Sequence, residues 1–555
     1  MPPTGSVAGG GGGGYNERVS SRTVVRGAAI LMVATVASRL LGYARDKIIA
    51  FQFGRTLHTD AYWAAFSVPD LLYYLLAGGA LSAALIPVFT EYLVRKERDE
   101  AWRVAVTLTN LLLVLVAVGV LLIVVFAPAL VWIAAPGFHK YPEAFDECVR
   151  YVRIMAPMVF LTALSALSTG VLQSFQHFTS PAAAWCLYNI GIIFGAVFLA
   201  RSLGIVGLCV GVLVGAASMV LVQLPSLYAR GFRWRPWLEI AHPGVVTVVR
   251  YFLPVMAGLF FTQLCLFWLP NFFGSFFRGG VTSLRYANRL VILPLGLFAV
   301  AISTAAFPTL SEHVARGEKD EFKRTFSASL RAIFLLSVPS SVALAALAGP
   351  VVRLLWQGGK FSGADVEASA FALVYYSLGL FAISALQVIN RAFYSLRDMK
   401  TPPLVGVGYV SLNFVLAPLL MRTSLKYGGV ALSTSLSTAV GMLVLMYLLR
   451  RKLGPMGGRE ITACFAKAVA AASVMGVVCY YVSAWLGDRV GAPVTHFSLA
   501  PPAAAASASS LSAVGLQVLA AIAVGAAVYY GTLRALRCAE IEQVVESAKR
   551  RFKRS

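Results

Sequence analysis

Apolar residues in this chain neither alternate with polar ones, as in a half-buried strand, nor form the single stripe of a surface helix. They run on for twenty residues or more, break at a short polar segment, and resume. A helix needs about 20 such residues to cross a bilayer. Stretches of that kind lie at 24–50, 60–93, 103–134, 148–176, 181–201, 204–229, 246–276, 282–313, 325–356, 367–394, 402–421, 428–450, 460–486 and 511–536. The pattern predicts an all-α polytopic membrane protein of about 14 transmembrane helices. Pro69, Pro87, Pro157, Pro254 and Pro308 fall inside the stretches, where bends are expected, because bundled helices re-satisfy the backbone groups that proline frees.

The polar breaks carry most of the cations. With both termini on the cytoplasmic side, 31 Lys and Arg fall in cytoplasmic segments and 11 in outer loops or their edges, the asymmetry that orients membrane proteins. Five more, Arg39, Arg45, Lys47, Arg285 and Arg289, lie inside apolar runs. The first 23 residues differ from the rest: six consecutive glycines, Gly9–Gly14, with no early apolar segment and no small-residue cleavage site, read as a disordered arm and not a signal peptide.

Composition removes several alternatives. Of 555 residues, 58% are hydrophobic and 13% charged, with a mean hydropathy of +0.75, whereas a soluble domain is about 25% charged. A net charge of +23 raises the question of a nucleic-acid partner. The cations sit in short clusters between apolar runs instead of on one continuous face, so none is expected. The seven cysteines are scattered without a CxxC pair, the six histidines are isolated, and no GxSxG nucleophile motif is present. GGKFSG at Gly358–Gly363 lacks the first glycine of a P-loop and reads as an outer turn. No catalytic constellation, metal site or cofactor is expected.

The chain also resembles itself. At an offset of 221, Ala80–Arg103 aligns with Ala301–Arg324 with ten of 24 positions identical, among them Pro87/Pro308, Glu91/Glu312, Arg95/Arg316, Glu97/Glu318 and Asp99/Asp320. Two copies of six helices, both facing the same way, form the architecture of a two-lobed transporter. The expected organisation is an arm (1–23), an N-lobe with helices 1–6 (24–230), a C-lobe with helices 7–12 (245–452), a helix pair 13–14 (459–537) and a basic cytoplasmic tail (538–555).

The charges inside the first run carry the functional reading. Arg39, Arg45, Asp46 and Lys47 interrupt an otherwise apolar helix, each at a cost of roughly 2.5–3.5 kcal/mol near the bilayer centre. Arg39 and Asp46, seven apart, share a face that Arg45 does not, so a protein-lined cavity suits them better than lipid. Converging with Arg289, Arg39 and Arg45 would form a cationic cavity for phosphate or carboxylate, which guanidinium forks bind in pairs of hydrogen bonds. Arg285, nearer the helix start, is expected to reach to the membrane interface. Asp60 either orients one of these arginines or caps its own helix.

SRLLGYARD at Ser38–Asp46, TDAYWAAFSVPDLL at Thr59–Leu72, GGALSAALIPVFTEY at Gly78–Tyr92, RYANRL at Arg285–Leu290 and LPLGLFAVAISTAAFPTLS at Leu293–Ser311 resemble the MurJ (MviN) family of lipid II flippases. This family belongs to the multidrug/oligosaccharidyl-lipid/polysaccharide exporter superfamily. The resemblance implies an inner-membrane protein with a cationic central cavity. Its substrate would be undecaprenyl-diphosphate-linked disaccharide–pentapeptide, carried outward by alternating access, with helices 13–14 grooved for the lipid tail. Membrane lipids are partners of such a protein, and on the scaffold alternative the basic ends Arg450–Lys452 and Lys549–Arg554 would recruit cell-wall synthases. The resemblance places substrate-binding residues at Arg39, Arg45, Asp46, Asp60 and Arg289. Where many relatives have two arginines and a glutamate in helix 2, this chain has Tyr73, Tyr74 and Gly78, so one diphosphate contact is either missing or replaced by tyrosine hydroxyls; Asn288 stands where some relatives have Asp. The family's sodium site needs carboxylates in helices 7 and 11, where this chain offers Gln263, Asn271 and Asn413, so no sodium site is assigned and membrane potential is the expected driving force. Export of another lipid-linked oligosaccharide, or a non-transporting cell-wall scaffold, are the alternatives.

Overall fold

The computed structural model describes residues 21–77, 80–95, 97–252, 268–489 and 511–538. Apart from one bridge between Gly358 and Phe361, every regular element among them is helical, as expected where lipid offers the backbone no hydrogen-bond partner. In chain order they are α1 (Ser21–Phe53), α2 (Leu57–Ala77), α3 (Ala80–Val94), α4 (Arg98–Val125) and α5 (Ala127–Ala134). Then follow α6 (Pro142–Ser174), α7 (Thr179–Leu203), α8 (Ile205–Tyr228) and α9 (Leu269–Gly274). The second half has α10 (Gly280–Arg316), α11 (Lys319–Ala346), α12 (Ala348–Trp356), α13 (Gly363–Ser377), α14 (Leu380–Ser395), α15 (Thr401–Met421), α16 (Tyr427–Leu453), α17 (Gly458–Arg489) and α18 (Leu511–Ala535).

Ten of these helices are long and apolar enough to cross a membrane, and α13 with α14, bent by 45°, makes an eleventh span. The other three expected spans are α1 with its internal charges, α2 with α3, parted at residues 78 and 79, and 246–276, whose middle lies outside the described residues. The glycine-rich arm and the basic tail beyond 538 also lie outside them.

The internal repeat reappears as repeated irregularity. Glu97 and Glu318 break their helices with φ/ψ of −87°/58° and −81°/71°. Phe126 and Leu347 do so at −92°/15° and −106°/19°. Gln176 (φ 56°) and Arg397 (φ 61°) are left-handed at a third pair of equivalent positions, each closed by a bond from the next residue's N–H back to the helix, His177 to Leu172 and Asp398 to Phe393. The ion pairs repeat as well: Arg95–Glu91 with Arg316–Glu312, and Arg103–Glu100 with Arg324–Glu321.

The packing is uneven along the bundle. A large apolar cluster unites both lobes at the end bearing Phe53, joining Ile49, Tyr62 and Trp63 to Tyr286, Trp356 and Phe361. Toward the opposite end the lobes have separate cores. Leu85, Phe89, Leu108 and Leu172 belong to one, and Leu310, Phe326, Phe393 and Leu449 to the other. Burial of apolar surface therefore holds the lobes together at the Phe53 end. The pair α17–α18 is joined by Gln517 Nε2 on the Ser483 carbonyl (2.7 Å) and packs on α11 and α12, with the Tyr529 hydroxyl on the Leu335 carbonyl of α11 (2.9 Å).

Candidate functional site

Asp46 lies on α1 where the two lobes meet and is 4% exposed. Two guanidiniums converge on it. Arg45 donates Nε and Nη2 to Asp46 Oδ1 at 2.9 and 2.7 Å, and its Nη1 donates to Asn189 Oδ1 of α7 at 3.2 Å. Arg289, from α10 of the other lobe, brings Nε to 3.1 Å from Asp46 Oδ2, an ion pair off hydrogen-bond alignment. The Tyr43 ring lies under the Arg289 guanidinium at 5.1 Å, and its hydroxyl donates to the Arg289 carbonyl at 3.2 Å. One carboxylate is thus shared between a cation of each lobe, and a buried charge left without such a partner would be strongly destabilising.

The residues around this triad line a narrow open cleft of about 50 Å³, bordered by Arg45, Asp46, Trp63, Asn271, Arg285, Asn288 and Arg289. Arg285 does not reach to an interface as expected from the sequence. Its guanidinium stacks 4.1 Å above Trp63 and 5.5 Å from Phe66, both on α2 of the opposite lobe, because those rings offer an electron-rich face within the bundle. Asp70, half-buried on α2, acts electrostatically on Arg285 and Arg45. Three guanidiniums against two carboxylates leave the cleft cationic.

Arg39 lies two turns further along α1 and is exposed, with no ion pair among the described residues. It reaches the other lobe at Gly296 of α10, where a Cβ would stand 2.7 Å from Arg39 Nη1; a Cβ on Gly42 of α1 would stand 2.6 Å from Arg289 Nη2. Glycine at these two positions gives the arginines room between the crossing helices. Arg45, Asp46 and Arg289 therefore come together with Asn288 beside them, while Arg39 stands apart from them, about 9 Å from Arg45 along the helix.

Asp60 does neither of the things expected of it. Fully buried, it accepts from the Gly279 N–H at 2.6 Å and from the Thr282 N–H and hydroxyl at 2.8 and 2.6 Å. Gly279 is the residue before the first turn of α10, so Asp60 caps a helix of the other lobe, satisfying orphan amides and meeting the positive end of its dipole. Arg55 reinforces the joint with Nε on the Gly279 carbonyl (3.0 Å) and the Ser283 hydroxyl (2.7 Å). The side chains of Tyr73 and Tyr74, like Gln263, fall outside the described residues. Asn413 is taken up within its lobe, accepting from Ser433 at 2.6 Å and donating to Thr434 at 3.2 Å. Among the described residues no cluster of three or more His, Cys, Asp or Glu is placed to hold a metal ion.

Sequence reasoning missed Asn189, Trp63 and the stacked position of Arg285. A polar residue midway along an apolar run is the only signal Asn189 gives, and an aromatic in such a run gives none.

The family model described as Lipid II flippase MurJ matches residues 49–495. The probable lipid II flippase MurJ of Buchnera aphidicola subsp. Acyrthosiphon pisum is 32% identical over 421 residues, covering 76% of this chain and 81% of the relative. The lipid II flippase MurJ of Burkholderia cenocepacia is 32% identical over 436 residues, covering 76% and 84%. A solved structure of lipid II flippase MurJ in an inward closed conformation superposes with a TM-score of 0.72 at 23% identity, over 92% of this chain and 99% of the other. An inward-facing multidrug resistance MATE family transporter gives 0.59 at 15% identity, over 75% and 94%; both are likenesses of fold.

Proposed function

This chain belongs to the MurJ family of lipid II flippases, and we propose from that membership how its residues move lipid II across the membrane. The diphosphate of the lipid enters the cleft between the lobes and is held by Arg45, Arg289, Arg285 and Arg39. One observation carries this reading: guanidiniums from both lobes face one cleft with a single shared carboxylate, Asp46, between Arg45 and Arg289. Guanidinium forks suit phosphate oxygens, and a diphosphate offers enough of them to engage both lobes at once. Competition between Asp46 and the diphosphate for the same donors would couple substrate entry to release of the lobe–lobe contact.

The orientation reading places the Phe53 end outward and both termini in the cytoplasm, on the excess of Lys and Arg at the opposite end. In that frame the outer ends of the lobes are closed, and loading occurs from the cytoplasmic side, at an inner membrane. The lipid tail runs along the apolar faces of α17 and α18, where Val477, Trp485, Leu516 and Leu519 are exposed. Carrying an anion outward is favoured by roughly 2.3 kcal/mol per charge per 100 mV, and the emptied arginine cleft returns inward down the same field, so membrane potential drives the cycle. Unchanged flipping in proteoliposomes when an imposed potential is collapsed would refute that driving force.

The test of the assignment is rescue of cells depleted of their own lipid II flippase, with lipid II exposure on the outer leaflet measured. The intact chain restores growth and exposure. Well-expressed Arg45→Ala and Arg289→Ala variants restore neither; retained exposure in both would make the arginines structural.

A further inference from the structure

A second cavity of about 250 Å³ opens beside the arginine cleft, between α1, α6 and α7. One side of its wall is polar, with Ser38, Arg39, Thr169 and Gln173, and the other apolar, with Pro181 and Trp185. Trp185 is 43% exposed, and the backbone beneath it is fixed: the Trp185 carbonyl accepts from the Ser38 hydroxyl at 3.4 Å and from Asn189 Nδ2 at 3.0 Å. The Thr169 hydroxyl donates to Gln223 at 3.0 Å. The Gln173 amide makes no hydrogen bond among the described residues, and the Arg39 guanidinium no ion pair.

We infer that this cavity is a saccharide subsite, in which the sugar bonded to the diphosphate of the transported lipid packs against Trp185 and is hydrogen-bonded by Gln173 and Arg39. This rests on the arginine-cleft reading above. The wall has the two-sided character of a pyranose, which shows an apolar C–H face and a rim of hydroxyl and amide groups; an indole supplies a large rigid surface for the first, and amide and guanidinium donors without a side-chain partner among the described residues meet the second. A lipid tail would leave those donors unsatisfied in an apolar contact, and a second phosphate would meet only one cation. Spacing agrees as well. Asn189, which holds Arg45, is one helical turn from Trp185, and Arg39 is six residues from Arg45, about 9 Å along α1. A sugar attached directly to a diphosphate on Arg45 falls within that reach.

The experiment titrates undecaprenyl diphosphate and lipid II separately against the purified full chain in nanodiscs, for the intact protein, Trp185→Ala, Trp185→Phe and Gln173→Ala. Trp185→Ala is expected to weaken lipid II about tenfold and to leave undecaprenyl diphosphate within about twofold, with Trp185→Phe recovering most of the loss. Gln173→Ala follows the same selectivity with a smaller loss. Equal weakening of both ligands would overturn the inference, showing that Trp185 acts by positioning Asn189 and Arg45; so would unchanged binding of both. An intact chain that binds neither ligand would overturn the arginine-cleft reading itself, a result distinct from either of those.

Discussion

Lys47 Nζ on α1 donates to the Leu354 carbonyl on α12 of the other lobe at 3.1 Å. Leu354 lies in the last turn of its helix, where carbonyls have no intrahelical partner and carry the negative end of the dipole. Asp60 makes the opposite contact, a carboxylate on the first amides of α10. The N-lobe therefore clasps two helix termini of the C-lobe, each with a charge of the complementary sign. Lys47→Met keeps the apolar stem and removes the cation. About 1 kcal/mol of closure at the Phe53 end is expected to go with it, a roughly fivefold shift in the balance of closed and open lobes. Distances between spin labels across the Phe53 end measure this, and an unchanged distribution would show that the clasp contributes nothing.

Asp60→Asn tests the other half. The amide oxygen can accept from one backbone N–H, but its nitrogen cannot accept the second, so one buried donor at the start of α10 is left without a partner. The expected cost is about 1–3 kcal/mol, read as a lower melting temperature and as faster labelling of a cysteine placed at Ser283. Full protection of that cysteine would mean the apolar cluster alone keeps the end closed.

Removing Asp46 and altering Arg289 separate stability from transport. Asp46→Asn leaves Arg45 and Arg289 facing each other without their shared carboxylate, and about 3–5 kcal/mol of destabilisation is expected. Arg289→Lys retains the charge but loses the planar fork. Its melting temperature should stay within a few degrees of the intact chain while flipping falls about tenfold or more. Equal flipping by Arg289→Lys would mean that charge alone suffices.

These contacts show how far the sequence could be read. The order of spans and the doubled lobes were legible because long apolar runs and an offset of 221 need no tertiary information. Arg45, Asp46 and Arg289 were legible because a charge inside an apolar helix is costly enough to demand a reason. Their partners were not. Asp60 meets Gly279 and Thr282 across more than two hundred residues, and nothing local marks a carboxylate that caps another lobe's helix. The place of Arg285 is not legible because its partner, the face of Trp63, exists only after two lobes pack. Trp185 and Asn189 look like ordinary members of an apolar run until α7 is laid against α1.

A pH effect is expected at the short connection between α6 and α7. His177, hydrogen-bonded to the Ser226 hydroxyl at 3.2 Å, is held below its ordinary pKa first by burial and then by the neighbouring Arg230 guanidinium. In the unfolded chain the imidazole titrates near 6.5. Below that value the unfolded state binds the proton more readily than the folded one, so the stability His177 contributes is complete above about pH 6.5 and is lost as pH falls further. Melting temperatures from pH 7 to pH 5 should decline less for His177→Gln than for the intact chain, and parallel declines would remove His177 as the cause.

Arg285 and Arg95 provide the sharpest contrast between a cation that serves the cleft and one that does not. Arg95 pairs with Glu91 one turn away at 2.6 Å, with both side chains about 60% exposed, so water screens the pair and its loss is expected to change little. Arg285 lines the cleft and is held against the Trp63 ring of the other lobe. Arg285→Gln preserves much of the side chain's length and removes a charge-assisted donor, which is worth roughly 1.5–3 kcal/mol to a bound anion. Affinity for undecaprenyl diphosphate is therefore expected to fall at least about tenfold in Arg285→Gln and to stay level in Arg95→Gln. If both substitutions were silent, Arg285 would be a clamp on Trp63 alone, and the cationic face of the cleft would reduce to Arg45 and Arg289.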